Sequence, residues 1–251
     1  MNKLKLAWMY PNILNLHGER GSVMAFARVA GKLGIELEIT RIDDPDVTPD
    51  ISDIDIMFFG PGELRVMPML VDALTPIKSE LEEYIAAGKH IIAIGTTGAL
   101  FANETLREDG SIVGGLGLLD EIASERSTVW GDDLWFEIEY GMEIVGSQIQ
   151  MLNFKVADGA ELGKVKYGFG NMADGFEGCR RGNLIHTNCL GPVFVKNPWW
   201  AEKILRDAAG YGEERLGFPE EKRAEYPLEC NSFDATVLFN NEKEKIPFLM
   251  K

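Results

Sequence analysis

Three cysteines and three histidines are the side chains of this 251-residue chain best suited to nucleophilic or acid–base work. Only one such pair lies close in sequence, Cys189 three residues after His186. A thiolate attacking a carbonyl carbon while an imidazole moves the proton is the chemistry that pair would do. Strand alternation along NLIHTNCL, however, sends the two to opposite faces, and cysteine is among the most buried residue types. A core thiol is therefore the better reading of Cys189. Cys179 and Cys230 sit in no pattern. An odd, small number of cysteines in a chain this long is not a disulfide framework. No pair has zinc-site spacing, so neither a metal nor another cofactor is expected.

A second place for chemistry is the stretch GKHIIAIGTTGALFA, residues 88–102. An apolar run meets a Gly/Thr turn and then the start of a helix. In α/β enzymes such a strand–turn–helix corner often holds a nucleophile. Here the corner carries Gly95, Thr96, Thr97 and Gly98. Thr96 or Thr97 would need an adjacent base to act, and the plainer role for both hydroxyls is to satisfy backbone groups in the turn. His17, Glu19 and Arg20, and likewise Glu63 and Arg65, lie on loops where a ligand can be bound. A solvated loop is the better reading of them.

The elements that would position these residues alternate. Residues 3–10, LEITRID, DIDIMFFG and HIIAIG read as strands. Between them, VMAFARVAGKLGI has helical spacing with Val23, Phe26, Ala30 and Leu33 on one face, and Gly34 ends it. A second helix is expected from about Pro76 to Ala87, closed by Gly88, and GALFANE begins a third. This alternation predicts a mostly parallel sheet with helices on both faces. Ligands sit at the carboxyl ends of such strands, which selects the loops 11–22, 60–68 and 95–99. The second half reads as added short strands, mostly antiparallel: GGLGLLD, DDLWFEIEY, EIVGSQIQMLNFKV, GKVKYGFGN and GNLIHTNCLG. NPWWAEKILRDAAGYG is the last helix expected, with Asn197 as its N-cap and Pro198 at the first position. Its Trp199–Trp200 pair suits a core. We divide the chain into a domain at 1–210 and a charged tail at 211–251 with one apolar run, DATVLF.

Charge narrows the partners. Lys and Arg number 25 against 40 Asp and Glu, a net charge of −15. Such a surface repels nucleic-acid phosphates and anionic lipid heads. Arg180–Arg181 is the one compact basic pair and reads as a solvated turn. The N-terminus lacks the apolar stretch of a signal peptide, and no segment reaches the length of a membrane span. A cytoplasmic location is expected.

The motifs YPNILNLHGERGS, MFFGPGE, GKHIIAIGTTGALFA, GGLGLLD, GKVKYGFGN, GNLIHTN and LGPVFVKNP stand in an order and spacing that resemble the CobB/CobQ-like class I glutamine amidotransferases. Within that family the likeness is to the GatD-like small subunit of lipid II isoglutaminyl synthase, which works with a Mur-ligase-like, MurT-type subunit. The resemblance runs over about residues 4–210. It implies a flavodoxin-type parallel sheet with extra antiparallel strands, and a pocket for glutamine. It implies no cofactor.

The resemblance also implies which positions carry the chemistry, and here this sequence departs from the pattern. The nucleophilic cysteine of active members falls on Gly95, and the histidine base of their H-G-P motif falls on Leu190 of Leu190-Gly191-Pro192. Their Gly-Gly-Gly oxyanion turn falls on Gly60-Pro61-Gly62. A glutamine-binding arginine falls near Thr128, two residues from Arg126. Their E-N-H-G-G-R-T stretch falls on 148–154, QIQMLNF. Glycine has no side chain to attack with, leucine carries no proton, and proline has no N–H to donate. The expectation is a subunit without glutaminase chemistry, bound to a Mur-ligase-like partner, with a ligand pocket at Gly60, Gly62, Thr96, Thr97 and Thr128. Two alternatives stand beside it: an active amidotransferase with Cys189 as a displaced nucleophile, and a free-standing small-molecule binder.

Overall fold

The computed structural model describes residues 2–211 and 219–243. Its first half is a parallel α/β unit. Strand β1 (Lys3–Met9) leads through helix α1 (Arg20–Leu33) to β2 (Glu36–Ile42), and then to β3 (Ile56–Phe59). Helices α2 (Met67–Leu74) and α3 (Lys78–Ala86) lead to β4 (His90–Ile94), and a 3-10 turn opens the short α4 (Gly98–Phe101). α1 buries Val23, Phe26 and Ala30 as its spacing predicts, and Gly34 closes it at φ 68°. α2 went unread because its apolar residues and two flanking 3-10 turns blur the helical period. The helix expected from GALFANE is a single turn, since the chain re-enters the sheet at Glu104.

The second half supplies β5 (Glu104–Leu106), β6 (Ile112–Gly114), β7 (Glu121–Glu137), β8 (Glu143–Val156), β9 (Glu161–Tyr167), β10 (Phe176–Arg181) and β11 (Leu184–Thr187). β7 and β8 form a long antiparallel hairpin with a register shift between Glu125 and Trp130. GGLGLLD is not a strand beyond Gly114: its leucines 116, 118 and 119 are buried on a loop whose amides bond back to residues 100–103. Arg180–Arg181 is not a solvated turn either. Both lie in β10, and Arg180 Nη1 bonds Glu139 at 2.7 Å.

One sheet runs β2-β1-β3-β4-β11-β10-β9-β7-β5-β6, with β8 paired to β7. β2, β1, β3, β4 and β11 are parallel, and antiparallel pairing begins at β11/β10. Alternation along the parallel strands feeds two cores. Leu6, Phe58 and Ile92 face one side, packing with α1. Met9, Phe59 and Ile91 face the other, packing with α2 and α3. Helices α5 (Val193–Lys196) and α6 (Pro198–Ala208) cover the first side, with Trp199 and Trp200 buried.

Asn197 stands at the N-cap position of α6 but makes no cap bond. Its side chain instead bridges to β8, accepting from Val145 N–H at 2.9 Å and donating to Val145 O at 2.8 Å. Nor is α6 the last helix. The 211–251 segment contributes α7 (Pro219–Lys222) and the 17-residue α8 (Pro227–Lys243), which buries Cys230 and Phe233 in the first core. Lys243 closes that contact by bonding Asp132 (2.8 Å) and Asp133 (3.0 Å) of β7. Residues 212–218 and 244–251 of the tail lie outside the described residues.

Candidate functional site

The corner after β4 is a tight strand–turn–helix turn with glycine at its tip. Gly95 sits at φ +62°, a left-handed conformation that costs any residue with a Cβ roughly 1–2 kcal/mol. A Cβ built at Gly95 would lie 3.3 Å from Leu190 Cδ2 and 3.4 Å from Pro61 Cβ. Three positions far apart in sequence therefore face one another across a few ångströms. They are the ones that the resemblance aligns with nucleophile, base and oxyanion turn. What they present is bare backbone, an isobutyl group and a pyrrolidine ring.

Thr96 holds two of these turns together. Its hydroxyl donates to Gly62 O at 2.6 Å and accepts from Gly62 N–H at 3.1 Å. The Gly62 amide is thus already engaged. Thr97 is fully buried and donates within the corner, to Ile94 O at 2.9 Å. Neither hydroxyl meets a base.

Beside Gly95 lies a cavity of about 330 Å³. Leu190, Pro61, Leu64, Leu16, Val129, Ile149 and Met151 make it apolar, and Gly62, Thr96, His17 and Glu63 complete the lining. Of the expected pocket residues, Gly62 and Thr96 line this cavity. Gly60, Thr97 and Thr128 do not: Gly60 packs on the Leu14 carbonyl, Thr97 points into the sheet, and Val129 takes the place expected for Thr128. Arg126 is turned to Asn153 Oδ1 at 2.6 Å and stacks over Phe169, 4.7 Å from the ring centroid. Glu63 and Arg65 are exposed and pair with each other.

Cys189 lines neither this cavity nor the smaller one beside Gln150. It is fully buried, and its Sγ lies where a side chain on Gly146 would be. Burial, with Glu177 and Glu19 nearby, pushes its thiol well above the ordinary range. His186 points elsewhere, to Glu121 and Gly95.

A polar layer lies behind the apolar wall, and the sequence reading missed most of it. His186 Nδ1 is 3.1 Å from Glu121 Oε2, and its Nε2 is 3.1 Å from the Gly95 carbonyl. A carbonyl only accepts, so Nε2 carries a proton. Burial pulls the ring toward neutrality, but Glu121 outweighs it, and the pKa of His186 is raised. Gly98 makes room, since a Cβ there would meet the imidazole. Glu177 accepts from Thr187 Oγ1 (2.7 Å), Asn188 N–H (2.7 Å) and Asn188 Nδ2 (3.1 Å). Gln148 Oε1 accepts the amides of Phe169 and Gly170 and its Nε2 donates to Gln150. The stretch 148–154 thus keeps polar groups, turned to structural bonds.

Glu19 corrects the solvated-loop reading. Its side chain is buried and accepts from Gly191 N–H at 2.8 Å, Val193 N–H at 3.4 Å and Ser22 Oγ at 2.6 Å. Burial raises its pKa against those bonds. With the two-way backbone bridge between Leu190 and Ser147 (2.8 and 3.0 Å), this carboxylate fixes the Leu190-Gly191-Pro192 loop against the corner. His17 and Arg20 remain exposed. The signal for Glu19, Glu121 and Glu177 was a carboxylate in an apolar or glycine-rich setting, which alone does not distinguish burial from exposure.

No family model matches the chain. It is 28% identical over 225 residues to the lipid II isoglutaminyl synthase (glutamine-hydrolyzing) subunit GatD of Staphylococcus aureus, covering 89% of this chain and 90% of that one. It is 26% identical over 215 residues to the GatD subunit of Streptococcus pneumoniae, covering 82% and 80%. Its sequence is GatD-like, and its fold is that of the glutamine amidotransferases. A crystal structure of a glutamine amidotransferase superposes with a TM-score of 0.54 at 15% identity, over 80% of this chain and 98% of that one. PurLQS from Thermotoga maritima superposes with a TM-score of 0.55 at 15% identity, over 84% and 99%. Among the described residues of the GatD-like chain, no helix is long and apolar enough to cross a membrane.

Proposed function

We propose that this chain is a GatD-like subunit without glutaminase activity, working as the non-catalytic partner of a Mur-ligase-like protein in lipid II modification in the cytoplasm. One observation carries the reading. The place for a side chain at Gly95 is bounded by Leu190 Cδ2 at 3.3 Å and Pro61 Cβ at 3.4 Å. Glutamine hydrolysis needs a thiolate, a proton-carrying base and oxyanion donors at that point. Each is replaced by a group unable to do its task. The similarity to two GatD subunits over most of the chain supports a subunit role. The net charge of −15 suits a partner with a basic docking surface.

Co-expression with the Mur-ligase-like protein of the same source, followed by size-exclusion chromatography at moderate salt, tests the partnership. One peak containing both chains is expected, and separate elution of two folded proteins at micromolar concentration refutes it. Ammonia release from glutamine, by the chain alone or in the complex, is expected to stay at buffer background. Release abolished by Cys189→Ser would instead establish the displaced-nucleophile reading, against which the burial of that thiol argues.

A further inference from the structure

The cavity beside Gly95 lies where the resemblance implies a pocket for glutamine, and its lining identifies what it can hold. Its volume of about 330 Å³ is at the lower end of the roughly 300–1,000 Å³ that small-molecule pockets span. A zwitterion such as glutamine needs a cation for its carboxylate and open polar groups for its amide. The lining contains no Lys or Arg. The Thr96 hydroxyl is engaged with Gly62 on both its donor and acceptor sides. The one carboxylate, Glu63, stands at the mouth paired with Arg65 and would repel an anion. The nearest arginine in sequence to the expected glutamine-binding position, Arg126, is turned to Asn153.

One polar group remains open. His17 lines the cavity, is exposed to solvent, and its ring meets no hydrogen-bond or ion-pair partner among the described residues. Its backbone sits at φ +56°. For a residue with a Cβ that conformation costs energy, and such strain is concentrated at ligand-holding positions. Partial burial lowers its pKa, so the ring is neutral at pH 7 and can donate or accept one hydrogen bond.

The geometry points to a binding site for a small, uncharged, mainly apolar molecule whose single hydroxyl or carbonyl group meets His17 while its hydrocarbon body lies against Leu190, Ile149 and Met151. The inference rests on the reading that glutamine hydrolysis is absent here, and it names what the site takes instead.

The test uses one hydrocarbon skeleton in two charge states. Cyclohexylmethanol and cyclohexanecarboxylate are titrated separately into the full chain, methyl-labelled at Leu, Val, Ile and Met, with L-glutamine as a third arm. Saturable shifts of the Leu190, Ile149 and Met151 methyls are expected with the alcohol. At least tenfold weaker binding is expected for the carboxylate, and no saturation for glutamine over the same range. Val129→Trp fills the mouth from an exposed position and should weaken the alcohol at least tenfold with the methyl spectrum otherwise intact. His17→Ala should weaken it by about 3- to 10-fold, the loss of one hydrogen bond, and leave binding of methylcyclohexane unchanged.

No saturable shift with the alcohol overturns the inference, as does tighter binding of the carboxylate or of glutamine. So do shifts indifferent to Val129→Trp, or equal losses for alcohol and hydrocarbon in His17→Ala. A glutaminase assay run in parallel separates the failures. Ammonia release would sink the reading of function, whereas a silent assay with an empty pocket would sink this inference alone.

Discussion

Two layers of the same site differ in chemistry. The wall of the cavity against the corner is made by Gly95, Pro61, Leu190, Ile149 and Met151, none of which can move a proton, while His17 and Glu63 line it from exposed positions. Directly behind it, His186–Glu121, Glu177 with Thr187 and Asn188, and Glu19 with Gly191 and Val193 form buried polar contacts. The side chains of that wall make no hydrogen bonds to the rest of the fold, so exchanging an exposed one such as Ile149 alters the cavity more than stability. Glu177 and Glu19 each accept three N–H or O–H groups, and removing either strands those donors away from water. The second layer is what holds the corner, the Leu190 loop and β8 in register. The difference teaches that the residues facing the cavity and the residues holding the corner are separate sets, so that one can change while the other stays.

The largest effect that would break this comparison lies in the second layer. His186→Gln removes one partner of a buried pair and should destabilise the fold by about 3–5 kcal/mol near pH 6, read by chemical denaturation. The folded pKa of His186 stands above its unfolded value. Its contribution is therefore complete below about pH 6.5 and is lost as pH rises through the folded value. The gap between variant and parent should narrow toward high pH, and a gap constant from pH 6 to 9 would show that the pair is not ionic.

Next comes the corner itself. Gly95→Cys places a Cβ at φ +62° between Leu190 and Pro61 and should cost about 1–2 kcal/mol. Restored ammonia release is not expected, because groups of this kind act as a unit. Adding Leu190→His should permit a thioester to form, trapped and weighed by mass spectrometry, with slow turnover. Full activity from Gly95→Cys alone would mean that the base lies elsewhere.

The second buried histidine sharpens the contrast through its opposite sign. His90, buried on β4, has its pKa lowered by burial to about 4. The folded state then refuses a proton that the unfolded chain accepts, so stability is lost as pH falls from about 6.5 through 4. His90→Gln should gain on the parent over that window, whereas His186→Gln should not. Equal pH profiles for the two variants would contradict both assignments. The smallest effect belongs to the cavity side. Ile149→Ser, at a position 46% exposed, should change stability by no more than about 0.5 kcal/mol, and a loss as large as that of His186→Gln would erase the distinction between the layers.

Much of this was legible in the chain. The runs IMFF and IIAI are wholly apolar because parallel strands are covered on both faces, and their alternation with helical periods names the α/β class without a structure. Once the resemblance aligned them, the residue types at 95, 190 and 61 were enough to question nucleophile, base and oxyanion donor separately. Only the tertiary structure could set Leu190 and Pro61 within 3.4 Å of where a Cβ on Gly95 would stand, since the three come from the turn after β4, the loop after β3 and the segment after β11. It also decided that Glu19 is buried, that Asn197 serves β8, that α8 packs on the core, and that Val129 takes the wall where Thr128 was expected. The physical reason is that periodicity reports one element at a time. A carboxylate or an amide looks the same in sequence whether it faces water or a buried donor, and what it meets there is contributed by residues up to 174 positions away.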